Sequence, residues 1–310
     1  MIPNGYEDER MSIKTIAILM PGDMGHGCAI AFRENGFRTV TNLSERSERT
    51  KDLSAKAGLE DLGSLEEVAK QSDIVLSILP PENALDQGRR FAAAMIAAGS
   101  TPPYVDCNAV SPATTREIAA EIDQAGALYI DGGIIGSNPV NEKGGTRLYV
   151  SGSDTAAIRE LDGRGMVVRD IGDEIGRASG LKMVYASATK GTFSLHAAVL
   201  TTAHAMGLTE EYMSELSESR PAMLSAMENM VPRIPLDAGR WLGEMNEIAA
   251  TFKEACVTSK FHEGAAEIME LAHRTPISHE TRETVDTSRT LIEALDMYVA
   301  ARKGVKDAAD

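Results

Sequence analysis

The chain is short of cysteine and of positive charge and has no long apolar run, and each shortage closes off a class of protein. Three cysteines, Cys28, Cys107 and Cys256, are scattered over 310 residues with no CxxC pair. An odd, dispersed set builds neither a disulfide framework nor a zinc knuckle, so reduced thiols are expected. The six histidines also lack metal-ligand spacing, and no metal site is expected. Lysine and arginine total 31 against 46 acidic residues, a formal net charge of −15. So acidic a surface repels phosphate backbones and anionic lipids, which argues against nucleic-acid and membrane partners. No apolar stretch reaches the roughly 18 residues that a membrane span needs. The opening MIPNGYEDER is polar and acidic, unlike a secretory leader. Residues 1–13 are therefore read as a flexible tail, and the chain as cytoplasmic.

What is present is ordinary for a folded globular protein: 43% hydrophobic and 25% charged residues, in a length that suggests two domains. Short β-branched runs alternate with helical stretches in the first half. Strands are expected at 15–19, 38–43, 73–79, 104–106, 128–131, 147–151 and 166–169, with helices at 23–35, 65–70 and 112–125. Strands separated by helices imply a doubly wound parallel sheet. Beyond Gly176 strand signals vanish, and helices are expected at 181–206, 210–231, 239–255, 260–273 and 282–303. The expected fold is α/β: a Rossmann-type doubly wound parallel sheet over residues 14–175, followed by an all-α domain over 176–310.

The turn after the first strand reads Met20-Pro21-Gly22-Asp23-Met24-Gly25. Glycines in such a turn let the backbone approach a pyrophosphate, which rests on the following helix N-terminus. Gly22 and Gly25 fill the second and third glycine positions of GxGxxG, and Met20 takes the first. Where the second strand ends, an NAD site usually offers an acid to the ribose hydroxyls. Here that position falls on Leu43, and Ser44, Arg46, Ser47 and Arg49 offer donors to a phosphate instead. NADP is the expected cofactor, with NAD possible.

With the segments PGDMG (21–25), SILPP (77–81), VDCNAVSP (105–112), IDGGIIGS (130–137), GGTRLYVSG (144–152) and GLKMV (180–184) in this order, the chain resembles the β-hydroxyacid dehydrogenase family, which includes 6-phosphogluconate dehydrogenase and the imine reductases. The stretch AGRWLGEMNEIAATF (238–252) resembles a helical domain attached to a subset of that family whose substrates are poorly defined. The resemblance implies hydride transfer between nicotinamide and a small hydroxy acid or related alcohol or carbonyl. It makes Lys182 the general acid/base and places Leu79 and Pro80 beside the cofactor. It also implies a homodimer formed through the helical domain. Asn108 is expected at a strand end, touching cofactor and substrate. The amides of Gly136 and Ser137 are expected to bind a carboxylate, with Lys190, Trp241 and Asn246 as further substrate contacts.

Departures from the family pattern narrow the implication. Ala186 stands where an asparagine usually follows the lysine, and Ile135 where a serine is usual. On a continuous helix the Lys182 face runs on through Thr189 and Phe193, with Lys190 flanking it. Two alternatives follow: an NADPH-dependent imine or ketone reductase, or a non-catalytic dinucleotide sensor. Retention of Lys182 counts against imine reduction, where the family commonly replaces the lysine.

Overall fold

The computed structural model describes residues 13–140 and 145–302. Most of the expected 1–13 tail, Gly144 of the GGTRLYVSG segment and Lys303 of the last expected helix lie outside the described residues. The chain falls into two compact units. The first runs to Leu79 and takes in Asn83–Asn108 and Thr114–Ser179. The second gathers Pro80–Glu82, Ala109–Ala113 and the chain from Gly180 onward.

In the first unit the elements follow the order β1 (Thr15–Leu19), α1 (Asp23–Glu34), β2 (Arg38–Thr41), α2 (Glu48–Ala57), β3 (Glu60–Asp61), α3 (Leu65–Gln71), β4 (Ile74–Ser77), α4 (Ala84–Ala98) and β5 (Tyr104–Asp106). Then come α5 (Pro112–Gln124), β6 (Tyr129–Ile135), β7 (Arg147–Ser151), α6 (Ala156–Arg159) and β8 (Val167–Asp170). The eight strands form one sheet in the order β3-β2-β1-β4-β5-β6-β7-β8. Its central strands are buried along their length, as strands covered on both faces must be. The sheet is parallel as expected except at one pair: β7 runs antiparallel to β6, with Ile135 opposite Arg147. No helix lies between those two strands among the described residues, and without a crossover the chain can only turn back on itself.

Four elements of the first unit were absent from the sequence reading, the shortest helix being the four-residue α6. The α2 helix (ERTKDLSAKA) is mostly polar, so it shows little periodicity, and its signal is the Ser47 N-cap that accepts the Thr50 amide. The β3 strand has two exposed residues. The α4 helix buries Ala84, Gln87, Gly88, Phe91 and Met95, a stripe blurred by small residues, and Gly99 ends it in the left-handed conformation.

The second unit is helical: α7 (Arg177–Ala186), α8 (Thr192–Ala205), α9 (Thr209–Ser219), α10 (Pro221–Met230), α11 (Ile234–Glu254), α12 (Lys260–His273) and α13 (Leu291–Ala301). The expected helix 210–231 is two, broken at Arg220 ahead of Pro221. The expected helix 282–303 starts only at Leu291, where Thr290 and Glu293 form a capping box. The expected helix 181–206 is interrupted by a π-helical turn, Ser187–Gly191. At that turn Gly191 packs on α12, where a Cβ would come within 3.3 Å of the His262 ring. Met183, Ala197, Leu200, Met227, Ile234, Trp241, Met245, Met269 and Tyr298 belong to one core. None of the described helices is long and apolar enough to cross a membrane.

Candidate active site

The glycine turn is open on one side and closely packed on the other. Space above Gly22 is open, since a Cβ there would meet nothing within 4 Å. Gly25 is tight: a Cβ there would lie 3.2 Å from the Ile18 side chain, which is the close helix–strand packing asked of the third glycine. Gly22 caps α1 without any side-chain hydrogen bond, so the first-turn amides of Asp23, Met24 and Gly25 carry no capping side chain. Pro21 is buried beneath the turn. Met20, in the first glycine position, holds φ +52°, the left-handed conformation that glycine normally supplies.

Beyond β2 the candidate phosphate ligands separate. Ser44 donates its hydroxyl to the Gly63 carbonyl at 2.6 Å, so its one O–H is already engaged. Arg49 pairs with Asp23 Oδ1 at 2.7 Å, tying α2 to the glycine turn. Arg46 is half-buried and reaches Gln87 Oε1 on α4 at 3.4 Å. Burial first, then the neighbouring Arg90, pulls its guanidinium below the ordinary arginine value, and Glu45 opposes them. Gln87 and Arg90 lie on the helix that was not anticipated. The buried spacing of Ala84, Gly88, Phe91 and Met95 could have revealed them.

Asn108 is a strand-end staple. Its Oδ1 accepts the Leu79 amide at 2.7 Å, its Nδ2 donates to Ser77 Oγ at 3.0 Å, and its own amide donates to Asp106 at 2.8 Å. At 1% exposure, with both ends of the side-chain amide engaged, it joins the ends of β4 and β5. Pro80, just beyond Leu79, is half-buried. Gly136 has φ +121°, and a Cβ there would lie 2.5 Å from the Gly145 carbonyl oxygen. Ser137 follows it, half-buried, and its carbonyl accepts the Thr146 hydroxyl at 2.6 Å. Ile135 is buried in β6.

Asp131, at the centre of β6 and fully buried, fixes where α7 begins. Its carboxylate accepts Ser151 Oγ at 3.0 Å and the amides of Gly176 at 2.8 Å and Ala178 at 2.9 Å, with Ser179 also donating. A negative charge at a helix N-terminus satisfies amides that would otherwise lack partners. Lys182 lies on this helix, half-buried.

In the second unit the π-turn changes which residues share a face. A single wide turn acts as a one-residue insertion. The residue eight places after Lys182 therefore comes round to where the seventh would stand. Lys190 joins the Lys182 side, and Phe193 turns into the core to stack on Trp241 with ring centroids 6.0 Å apart. The expectation that Thr189 and Phe193 continue the Lys182 face is thus corrected.

Lys190 contacts Glu244 of α11, and its Nζ lies 5.7 Å from the Trp241 ring centroid. Burial, then Arg240 and Lys182, lowers the Lys190 ammonium well below the ordinary lysine value. Glu244, 2% exposed, also takes Arg240 at 3.1 Å. One turn further on, Glu247 accepts the Ser111 amide at 2.7 Å. A Cβ on Gly243 would sit 3.3 Å from Pro81. The polar face of α11 is therefore Arg240–Glu244–Glu247, packed on segments that follow β4 and β5. Asn246, exposed on another side of the helix, is not part of it, and Trp241 is core. Among the described residues no group of three or more His, Cys, Asp or Glu side chains is placed to hold a metal.

Comparison with known proteins agrees with this arrangement. Residues 15–162 match the family model for the NAD binding domain of 6-phosphogluconate dehydrogenase, and residues 203–272 match a domain of unknown function, DUF1932. An uncharacterized 28.5 kDa protein of Methanothermus fervidus is 28% identical over 230 residues, covering 74% of this chain and 84% of that protein. A conserved protein of unknown function, described as structurally similar to 3-hydroxyacid dehydrogenases, aligns with a TM-score of 0.59 at 26% identity over 84% of this chain and 98% of that one. The 3-hydroxyisobutyrate dehydrogenase of Mycobacterium tuberculosis, solved with L-serine, aligns with a TM-score of 0.63 at 18% identity over 83% of this chain and 93% of that one. With its dinucleotide-binding sheet and its helical C-terminal region, the chain belongs to the β-hydroxyacid dehydrogenase-like family of NAD(P)-dependent oxidoreductases.

Proposed function

We propose that this protein is an NADP-dependent dehydrogenase or reductase acting on a small hydroxy acid or a related polar alcohol or carbonyl, with Lys182 as the proton-transfer group. The turn of Pro21, Gly22, Asp23, Met24 and Gly25 would hold the pyrophosphate, with Leu79 and Pro80 alongside and Arg46 toward the adenosine end. The observation that carries the reading is Lys182 itself, a half-buried lysine on a helix whose start is pinned by a buried carboxylate, beside a second lysine and an arginine.

A nicotinamide cofactor gives or takes the hydride at the reacting carbon. The substrate oxygen must then gain or lose a proton, and a positioned amine can transfer it if burial and neighbouring cations favour its neutral form. Arg240, which stays protonated, supplies such a cation to the cluster beside Lys190. The amides of Gly136 and Ser137 would serve a carboxylate.

Lys182→Ala tests this directly. NADPH affinity should stay nearly unchanged, while NADPH-linked turnover over a panel of hydroxy acids, aldehydes and keto acids falls by about 10²–10⁴. Lys182→Arg should not restore it, because a guanidinium keeps its proton near neutral pH. A Lys182→Ala protein that keeps most of its turnover overturns the assignment. Binding of NADPH by the wild type with no turnover of any carbonyl would point to a sensor instead.

A further inference from the structure

The loop after β2 and the first turns of α4 hold polar groups whose hydrogen bonding is incomplete. Arg46 Nε is buried and finds no acceptor, and neither does Nε2 of Gln87, a side chain only 2% exposed. Their one mutual contact, Arg46 Nη2 to Gln87 Oε1, is long at 3.4 Å. Arg90, three residues further along α4, touches Glu45 at a similarly loose 3.4 Å, and that glutamate is 79% exposed. Leaving a buried donor unsatisfied costs about 1–3 kcal/mol. Arg90 also repels Arg46 and contributes to its lowered ionisation. Such a group of donors is explained if the pocket ordinarily receives an acceptor with several oxygens and negative charge.

The position of the pocket says which acceptor. In a doubly wound nucleotide fold the carboxyl end of the second strand lies by the adenosine ribose, and here Leu43 gives that ribose no acid. A phosphate monoester presents three acceptor oxygens and nearly two charges, a match for two guanidiniums and an amide N–H.

We propose that Arg46, Gln87 and Arg90 form the pocket for the 2′-phosphate of NADP(H). Helix α4 supplies the donors that the β2 loop lacks, since Arg49 is paired with Asp23 and the Ser44 hydroxyl is given to Gly63. Arg90 exchanges exposed Glu45 for the phosphate when the cofactor binds. This inference rests on the NADP reading above and adds residues to it.

Fluorescence titration of the full chain with NADPH and with NADH at fixed salt, for the wild type, Arg90→Ala and Gln87→Leu, tests it. The wild type should prefer NADPH. Each variant should lower that preference by about tenfold, the scale of one hydrogen bond to a charged group. NADH affinity should stay unchanged, which also shows that the variants fold. Arg89→Ala is the control on the same helix, because Arg89 pairs with Glu121 at 2.8 Å. Equal weakening of both cofactors by Arg90→Ala would mean that the guanidinium stacks on adenine, and the phosphate pocket would fall. An unchanged preference in both variants, with Arg46→Ala abolishing it, would remove α4 while the NADP reading stood. A wild type without preference overturns the NADP reading itself.

Discussion

At φ +52°, Met20 holds a backbone conformation that a Cβ makes unfavourable by about 1–2 kcal/mol. Glycine relieves that strain but has more freedom to lose on folding, by roughly 0.5–1 kcal/mol. Met20→Gly should therefore raise stability by up to about 1 kcal/mol in urea unfolding. A clear loss would mean that packing of the half-buried Met20 side chain outweighs the strain. The thiols divide similarly by environment. Cys28 is buried, and burial pushes its thiol up to about 12, whereas Cys256 is exposed. Gly22 and Gly25 were legible from the motif, because their role follows from having no side chain. The fate of Asn108 was not, because nothing in its local sequence says that Ser77 and Leu79 claim both ends of its amide.

The π-turn between α7 and α8 ties the lysine-bearing helix to α12. Ser187 Oγ lies 3.1 Å from His262 Nε2, Gly191 packs against the same ring, and Phe252 sits 4.5 Å away, centroid to centroid. Burial lowers both His262 and His196 below the ordinary histidine value of 6.5. Just below that pH the unfolded chain binds protons that the folded protein refuses, so stability falls as pH drops through this window. The slope is at most about 1.4 kcal/mol per pH unit for each histidine. Urea midpoints measured from about pH 7 down to about pH 5 should show it, and His262→Gln should flatten the profile. An unaltered slope in that variant would place the acid sensitivity elsewhere.

Elements with a strong period were legible. The first strand and the helix at 260–273 stand where the spacing put them. Those resting on capping or on small-residue packing, α2 and α4, were not, and the π-turn has no local signature that would mark it. A helix assumed continuous put Phe193 on the lysine face. One wide turn moved it into the core.

The α7 and α8 helices also bear on the state of the whole molecule. Leu181 (38% exposed), Tyr185 (49%), Leu195 (47%) and Met206 (65%) leave apolar side chains open along them, and Val184 adds another at 56%. A groove of about 530 Å³ lined by Val199, Thr202, Met206, Leu208 and Tyr212 adjoins their end and contains none of the candidate site residues. So many exposed apolar side chains argue for a second copy of the chain as their cover, in the self-complementary arrangement of two-fold dimers. Light scattering at micromolar concentration should give twice the monomer mass of 33.2 kDa, and Leu195→Glu with Tyr185→Glu should shift it toward the monomer. A wild-type monomer at that concentration contradicts the prediction. The second unit has one more consequence, and it concerns time. Ser111 and Glu247, which share a hydrogen bond, stand 136 residues apart in the chain. At a synthesis rate of about 5–20 residues per second, Ser111 leaves the ribosome roughly 7–27 s before its partner exists. For that interval Ser111 and the other early segments of the second unit wait for α11. The helical unit of this protein is thus the last to be completed, and a chain stalled after the sheet would carry the strands of the first unit without α11.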